Sequence, residues 1–233
     1  MEDLRNKIKL VIFDLDGTLV DAYPAIIASF NYTMHKLHQP KRDASTIKRA
    51  VGWGDKALLR PFVEPHLLAK ALVIYRRHHE NSLLEKSRLL DNARDTLESL
   101  KIRGYKLAIA SNRPRRFTLI IMRHLKIEKF FDFILCGDQL RKPKPAPEML
   151  IRIMKRLKTL KQQTLYVGDM HVDVKTANRA KVKMIALLTG SSTKSELKRE
   201  KPYRIVKDIS YLKTILSPFE GCSTSPRLRR TIL

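Results

Sequence analysis

The chain has 233 residues, of which 43% are hydrophobic and 30% are charged, and it carries 47 Lys and Arg against 23 Asp and Glu. This composition excludes an intrinsically disordered chain and a protein built of membrane spans, and the length suits one domain or one domain with an insertion. The formal net charge of +24 fits a nucleic-acid partner, an anionic membrane surface, small anionic substrates or a solvated lysine-rich surface.

Targeting and redox signals are weak. The first apolar run, Leu10–Phe13, is too short for a signal peptide or a membrane span. The two cysteines, Cys136 and Cys222, have neither metal-ligand spacing nor a disulfide framework, and Cys136 lies in an apolar run that predicts a buried free thiol. We therefore expect a cytoplasmic protein without a membrane partner.

Short apolar runs alternate with amphipathic helical patterns along most of the chain. Such alternation predicts βαβ units and an α/β fold with a doubly wound parallel sheet. The predicted strands are Leu10–Phe13, Leu107–Ala110, Phe133–Cys136, Leu165–Val167 and Met184–Leu188, with a weaker sixth at Arg204–Val206. The predicted helices between them are Ala93–Lys101, Pro114–Leu125, Pro147–Leu157 and Val172–Ala180.

One interval breaks this alternation. Between the first two predicted strands the pattern indicates helices and no strand, at Pro24–Leu37, Ala44–Val51, Asp55–Arg60 and Leu67–Lys86. Because an α/β connection is normally far shorter, we expect an inserted α-helical cap domain over residues 20–88. The core domain then comprises residues 1–19 and 89–216, and residues 217–233 form a basic, loosely ordered tail.

The most informative segment is Asp14-Leu-Asp16-Gly17-Thr18, directly after the first strand. Ligands bind beyond the carboxyl ends of strands in open α/β sheets, and two buried acids need a cation to offset their charge. Oxygen ligands favour Mg²⁺. The alternative is an ordinary strand-end turn with solvated aspartates.

A second acidic pair, Asp169 and Asp173, follows the strand Leu165–Val167. Their i,i+4 spacing places both on one face of a helix. If this strand neighbours the first, up to four carboxylates converge at one place and require a metal. Taken alone, the pair is more typical of acids at a helix N-terminus, but together with the first motif it favours a site.

Two further segments offer anion ligands. Ser111-Asn112 follows the strand Leu107–Ala110 at the start of a helix, where a hydroxyl and backbone N–H groups bind anions; an ordinary helix N-cap is the alternative. Lys144 lies in a proline-rich loop that would hold a cation in a fixed place, although a solvated linker has the same pattern.

These four segments, in this order, resemble the motifs of the haloacid-dehalogenase-like hydrolase superfamily. The resemblance covers the chain from about Lys9 to Leu216 and implies a Rossmann-like core. The insertion between the first two motifs, together with SNRPRRF, LYVGDMHVDVKTANRA and LLTGSS, resembles the helical-cap branch that includes the phosphoglycolate phosphatases.

The resemblance implies a role for each matching residue. Asp14 is the nucleophile that forms an aspartyl-phosphate, and Asp16 is the general acid and base. The Mg²⁺ ligands are Asp14, Asp16 through its backbone carbonyl, and Asp169, with Asp173 steadying them. Ser111, Asn112, Thr18 and Lys144 bind the phosphoryl group. Lys142 also precedes Pro-x-Pro, but the spacing to Asp169 favours Lys144.

The function expected is therefore Mg²⁺-dependent hydrolysis of a small phosphomonoester, with 2-phosphoglycolate implied by the resemblance alone. An acid at position 16 suits an alkoxide leaving group, which also leaves a phosphotransferase open. In the cap, either Trp53 or its neighbours touch the leaving group, or Trp53 packs between the cap helices. Arg113, after the second motif, is placed to help bind an anionic substrate. The rivals are a basic nucleic-acid-binding protein on the same scaffold and a phosphatase of nucleotides or polynucleotide ends.

Overall fold

The computed structural model describes residues 7–216, so the predicted tail and Cys222 lie outside the described residues. The strands are β1 (Leu10–Phe13), β2 (Val20–Asp21), β3 (Arg88–Leu89), β4 (Lys106–Ser111), β5 (Phe133–Cys136), β6 (Thr164–Gly168), β7 (Lys183–Leu187) and β8 (Arg204–Val206). The α-helices are α1 (Tyr23–Lys36), α2 (Ala44–Ala50), α3 (Asp55–Leu59), α4 (Leu68–Lys86), α5 (Ala93–Ile102), α6 (Arg115–His124), α7 (Glu148–Arg156), α8 (His171–Ala180), α9 (Lys194–Arg199) and α10 (Tyr211–Ile215).

The six longer strands form one parallel sheet in the order β5-β4-β1-β6-β7-β8. Strand β1 lies in the middle, between β4 and β6, and all four of its residues are buried. Val11 and Phe13 belong to one apolar cluster, whereas Leu10 and Ile12 belong to a second. Since successive side chains of a strand point to opposite faces, the sheet is covered on both sides, which confirms the predicted doubly wound α/β fold.

Between β1 and β4, helices α1–α4, which we call the helical segment, pack mainly on one another, with α1 against α4 as the largest contact. The expectation of no strand in this interval was wrong, because β2 and β3 pair antiparallel, with Val20 opposite Leu89 and Asp21 opposite Arg88. Two residues are too few to show a period of two in the sequence. This ribbon joins the helical segment to the main sheet at both of its ends.

Cys136 is buried and free, and burial raises the pKa of its thiol to about 11. Among the helices of residues 7–216, none is both long and apolar enough to cross a bilayer.

Candidate active site

The predicted site residues meet at the carboxyl edge of the central strands. Strand β1 pairs with β4 and β6 so that Phe13 lies opposite both Ile109 and Val167, which brings Asp14 beside the ends of two neighbours. The Asp14 backbone N–H donates to the Val167 carbonyl at 2.9 Å. The sheet thus places Asp14 next to the loop that carries Asp169.

Three carboxylates form the centre of the site. Oxygens of Asp14, Asp169 and Asp173 lie within 4.8 Å of one another, and all three side chains are buried. The Lys144 Nζ atom lies 2.9 Å from Asp14 Oδ1 and 2.7 Å from Asp173 Oδ1. One ammonium group therefore contacts two of the three carboxyl groups, so the acids of this cluster outnumber the cation beside them.

Burial dominates the electrostatics of this cluster. It raises the pKa of Asp14 to about 7, although the Lys144 ammonium opposes the shift. Burial, followed by repulsion from Asp14 and Asp173, raises the pKa of Asp169 well above its ordinary value. For Lys144, burial acts against the charged form, but the carboxylates of Asp14 and Asp173 outweigh it and raise the lysine pKa.

The residues present fit a hard divalent cation. Asp169 Oδ2 is buried and has no hydrogen-bond partner among the described residues, which is costly for a carboxylate oxygen unless a cation is bound. A Cβ atom on Gly17 or Gly190 would collide with the same carboxylate, so both glycines keep the space around it open. Buried carboxylate oxygens are the donor set that Mg²⁺ or a similar ion prefers.

Neighbouring side chains fix the carboxylates in place. The Tyr166 hydroxyl donates to Asp173 Oδ1 at 2.7 Å, and the Met170 backbone N–H donates to Asp173 Oδ2 at 3.1 Å. The Thr18 hydroxyl donates to Asp169 Oδ1 at 2.6 Å and is fully buried. The Thr18 hydroxyl thus orients Asp169, and its expected contact with phosphate stays a prediction.

Asn112 also differs from the expected role. Its Nδ2 donates to the carbonyls of Gly52 and Lys144, at 2.9 and 3.0 Å, while its Oδ1 accepts from the Lys144 backbone N–H at 2.9 Å. An amide engaged on both atoms holds the Lys144 loop against β4 and ties it to the turn at Gly52. The side chain thus positions Lys144, and because Asn112 also lines the cavity between the sheet edge and the helices, its phosphate-binding role stays a prediction.

The choice between the two lysines is clear in the structure. Lys142 is exposed, whereas Lys144 is buried with its ammonium among the carboxylates.

Ser111 ends β4 and is buried, and its hydroxyl accepts from the Arg113 backbone N–H at 3.2 Å.

The carboxylate of Asp16 lies outside the acidic cluster. It accepts two hydrogen bonds from Arg113, from Nε at 2.9 Å and from a terminal nitrogen at 2.7 Å. Any part of Asp16 in metal binding is therefore left to its backbone, as the resemblance implies. The fork of Arg113 holds the carboxylate at the edge of the site.

Arg113 also contacts the helical segment. Its remaining terminal nitrogen lies 2.8 Å from His79 Nε2 on α4, and His79 Nδ1 lies 3.1 Å from the Ser29 hydroxyl on α1. Because arginine only donates, Nε2 accepts and the ring proton resides on Nδ1, which donates to Ser29. The Ser29 hydroxyl in turn donates to the Ala25 carbonyl at 2.8 Å. The sequence analysis assigned no role to His79, which lies within an ordinary helical pattern, or to Tyr166, which lies within a buried strand pattern.

A cavity of about 60 Å³ lies between the sheet edge and the helical segment. The sheet side of its lining includes Asp14, Asp16, Ser111, Arg113 and Lys144, and the helical side includes Ile26, Gly52, Asp55, Leu58, Tyr75 and His79. Trp53 neither lines the cavity nor packs between helices, because its side chain is 41% exposed and lies 6.0 Å from the His171 ring. The expected packing of Trp53 between helices was therefore wrong, whereas a contact of Trp53 or its neighbours with the leaving group stays a prediction, since Gly52 and Gly54 line the cavity.

Comparison with known proteins agrees with this geometry. The family model of haloacid dehalogenase-like hydrolases matches residues 11–187. A phosphoglycolate phosphatase of Pseudomonas putida is 31% identical over 213 residues, covering 88% of this chain and 78% of the relative. One from Colwellia psychrerythraea is 33% identical over 192 residues, covering 78% of this chain and 85% of the relative.

The fold has a solved counterpart as well. A crystal structure of a predicted phosphoglycolate phosphatase from Haemophilus somnus matches with a TM-score of 0.86 and 26% identity, covering 90% of this chain and 98% of that chain. The match to the family model spans the first motif at Asp14 through the last at Asp169 and Asp173. With the fold, the acidic cluster and the four motifs in agreement, this chain belongs to the haloacid dehalogenase-like hydrolases.

Proposed function

We propose that the protein is a Mg²⁺-dependent phosphatase of a small phosphorylated carboxylic acid, such as 2-phosphoglycolate, in the cytoplasm. The observation that carries the proposal is the junction of Asp14, Lys144 and Asp169, where a buried carboxylate is held by an ammonium group next to an unpartnered carboxylate oxygen. The names of the relatives support the phosphatase class and the substrate. They do not favour the nucleic-acid-binding rival as the principal function.

The chemistry follows from the arrangement of the side chains. An Asp14 oxygen attacks phosphorus, and the bond from phosphorus to the leaving oxygen breaks, which leaves an aspartyl-phosphate. Asp16 gives its proton to the leaving oxygen and then takes a proton from the water that hydrolyses the aspartyl-phosphate. Lys144 and Ser111 bind the phosphoryl oxygens. Asp14, Asp169 and the Asp16 backbone carbonyl would hold Mg²⁺, which would stabilise the charge of the phosphoryl group.

The surroundings of Arg113 support a substrate that carries a carboxylate. Arg113 lines the cavity, and its fork already binds one carboxylate, that of Asp16, with two hydrogen bonds. Arginine forks match carboxylates in shape and charge. A substrate carboxylate that takes over one arm of the fork frees Asp16 to turn toward the leaving oxygen. The cavity volume of about 60 Å³ favours a small substrate.

The test measures phosphate release with Mg²⁺ from 2-phosphoglycolate and from an aryl phosphate that has no carboxylate. Asp14→Asn should abolish both reactions. Arg113→Lys should lower kcat/KM for 2-phosphoglycolate about ten-fold or more beyond its effect on the aryl phosphate, since a charge-assisted hydrogen bond contributes about 1.5–3 kcal/mol.

Lys48→Arg, at an exposed position of α2, is the conservative control. Activity that survives in Asp14→Asn would refute the mechanism. Equal loss for both substrates in Arg113→Lys would refute only the proposed carboxylate contact.

A further inference from the structure

The edge of the sheet opposite the acidic site carries an unusual set of lysines. All six strands of the main sheet are parallel, so the helices that connect them run back, and each ends at the amino edge of the sheet. Five such helix-to-strand connections lead into β4, β5, β6, β7 and β8. We call the surface formed by these connections the amino-edge face.

Each of the five connections contains one residue in the left-handed region. Before β4 this residue is Gly104, with φ of 78°, and nothing would obstruct a Cβ there. Before the other four strands it is a lysine: Lys126, Lys158, Lys181 and Lys201, with φ of 54°, 52°, 57° and 55°. Glycine is the usual residue at this point because a Cβ is strained in this conformation. The four connections with a lysine therefore carry a conformational cost that glycine spares the connection before β4.

The dipoles of the helices do not account for this choice. Cations near a helix C-terminus are favourable, but the last turns of α6, α7, α8 and α9 already contain arginine or lysine. All four left-handed lysines are exposed. Their side chains add positive charge to the surface at positions where glycine would instead remove the strain of the left-handed backbone.

Opposing charge on the amino-edge face is already neutralised. Within residues 7–216 the five connections contain three acids, and each is paired: Glu128 with Arg123 at 2.8 Å, Asp132 with Lys101 at 3.0 Å, and Glu200 with Lys175 at 3.3 Å. Exposed lysines also stand at or near the strand starts, at Lys9, Lys106 and Lys161. The face is thus basic across the width of the sheet.

The face is concave at one side. A cleft of about 250 Å³ near the starts of β7 and β8 is lined by Lys181, Lys183 and Lys201, by Asn178 and by the ring of Tyr203, with no carboxylate in its lining. Cations around a recess fit a phosphodiester group that enters it, whereas a bilayer presents a flat surface. Spaced lysines on a surface whose few acids are already paired are the usual partners of a phosphate backbone.

We propose that the amino-edge face binds the phosphate backbone of nucleic acid, without sequence preference, and leaves the active site accessible at the opposite edge. This property is additional to the proposed phosphatase activity and does not depend on it.

The test measures the binding of a fluorescent 20-nucleotide single strand by anisotropy over a range of salt concentrations. The face variant changes Lys126, Lys158, Lys181 and Lys201 to Gln. The matched control changes four exposed lysines of the helical segment, Lys41, Lys56, Lys70 and Lys86, to Gln, so that both proteins have the same net charge. For the face variant the slope of log K against log salt should become shallower by about 3, because each lysine contributes about 0.7 with a single strand.

The control should keep the wild-type slope, and both variants should hydrolyse an aryl phosphate at the wild-type rate. An equal loss in both variants would mean that net charge, not this face, binds the strand, and it would overturn the proposal. So would a wild-type protein that does not bind at 50 mM salt, or one that binds phosphatidylserine vesicles through this face but not the oligonucleotide.

Discussion

The buried histidine between the helical segment and Arg113 makes a prediction about acid stability. Burial, together with the Arg113 guanidinium, lowers the pKa of His79 from 6.5 to about 2. The unfolded chain therefore binds a proton on this side chain below pH 6.5, whereas the folded chain does not. Stability from this group is fully present above pH 6.5 and is lost as the pH falls toward the folded pKa.

The magnitude follows from the linkage relation. Each pH unit in this window changes the free energy of unfolding by about 1.4 kcal/mol for one proton. Between pH 6.5 and 4.5, His79 therefore removes about 2–3 kcal/mol of stability. The side chain is only 2% exposed, so solvent screening reduces this figure little.

The assay is urea denaturation followed by far-UV circular dichroism at pH 7.5, 6.5, 5.5 and 4.5. His79→Gln keeps an acceptor for Arg113 but cannot take up a proton, so it should destabilise the protein at pH 7.5 and lose that disadvantage by about 2–3 kcal/mol at pH 4.5. The exposed His124, changed to Gln, is the control. Parallel stability profiles for wild type and His79→Gln would refute the assignment of a neutral buried histidine.

Two further predictions concern the acidic cluster and the amino-edge face. In metal-free solution Asp169→Asn should unfold at the same temperature as the wild type or higher, because it removes one of three crowded buried carboxylates, and millimolar Mg²⁺ should raise the melting temperature of the wild type alone. A rise of equal size in both proteins would place the ion elsewhere. Lys158→Gly should stabilise the protein by about 0.5–1 kcal/mol in urea denaturation, since glycine relieves the left-handed backbone, whereas Lys155→Gly within α7 should destabilise it by about 1 kcal/mol. A loss of stability in Lys158→Gly would show that its side chain stabilises the turn.

The sequence was sufficient to predict the parallel sheet and the convergence of the acidic side chains. Runs of three to five residues marked all six parallel strands, and β1, β5 and β8 have the predicted ends. Asp14 and Asp169 follow strands that turn out to be adjacent, and this adjacency alone brings the carboxylates together. The family match confirms the superfamily that the four motifs indicated. The domain boundaries and the roles of the individual site residues stay predictions.

What the sequence could not predict depends on contacts between distant residues. The hydroxyl of Thr18 is oriented by a carboxylate 151 positions away, and the guanidinium of Arg113 by one 97 positions away. The partner of a short polar side chain is decided by packing after the elements assemble, and no local pattern encodes it. Trp53 shows the same limit, because a large ring in a turn carried no information about which surface it would cover.

The ribbon of β2 and β3 has a consequence for how this fold can be altered. Val20 and Leu89 are paired neighbours although 68 residues separate them in the chain. Any segment inserted between them must begin and end at almost the same point. The geometry that the main sheet must accommodate is therefore nearly the same for a long insert as for a tight hairpin turn. The ribbon therefore makes the helical segment an exchangeable module. Grafting another segment at Asp21 and Arg88 should change which molecules enter the cavity while Asp14, Lys144 and Asp169 stay in place.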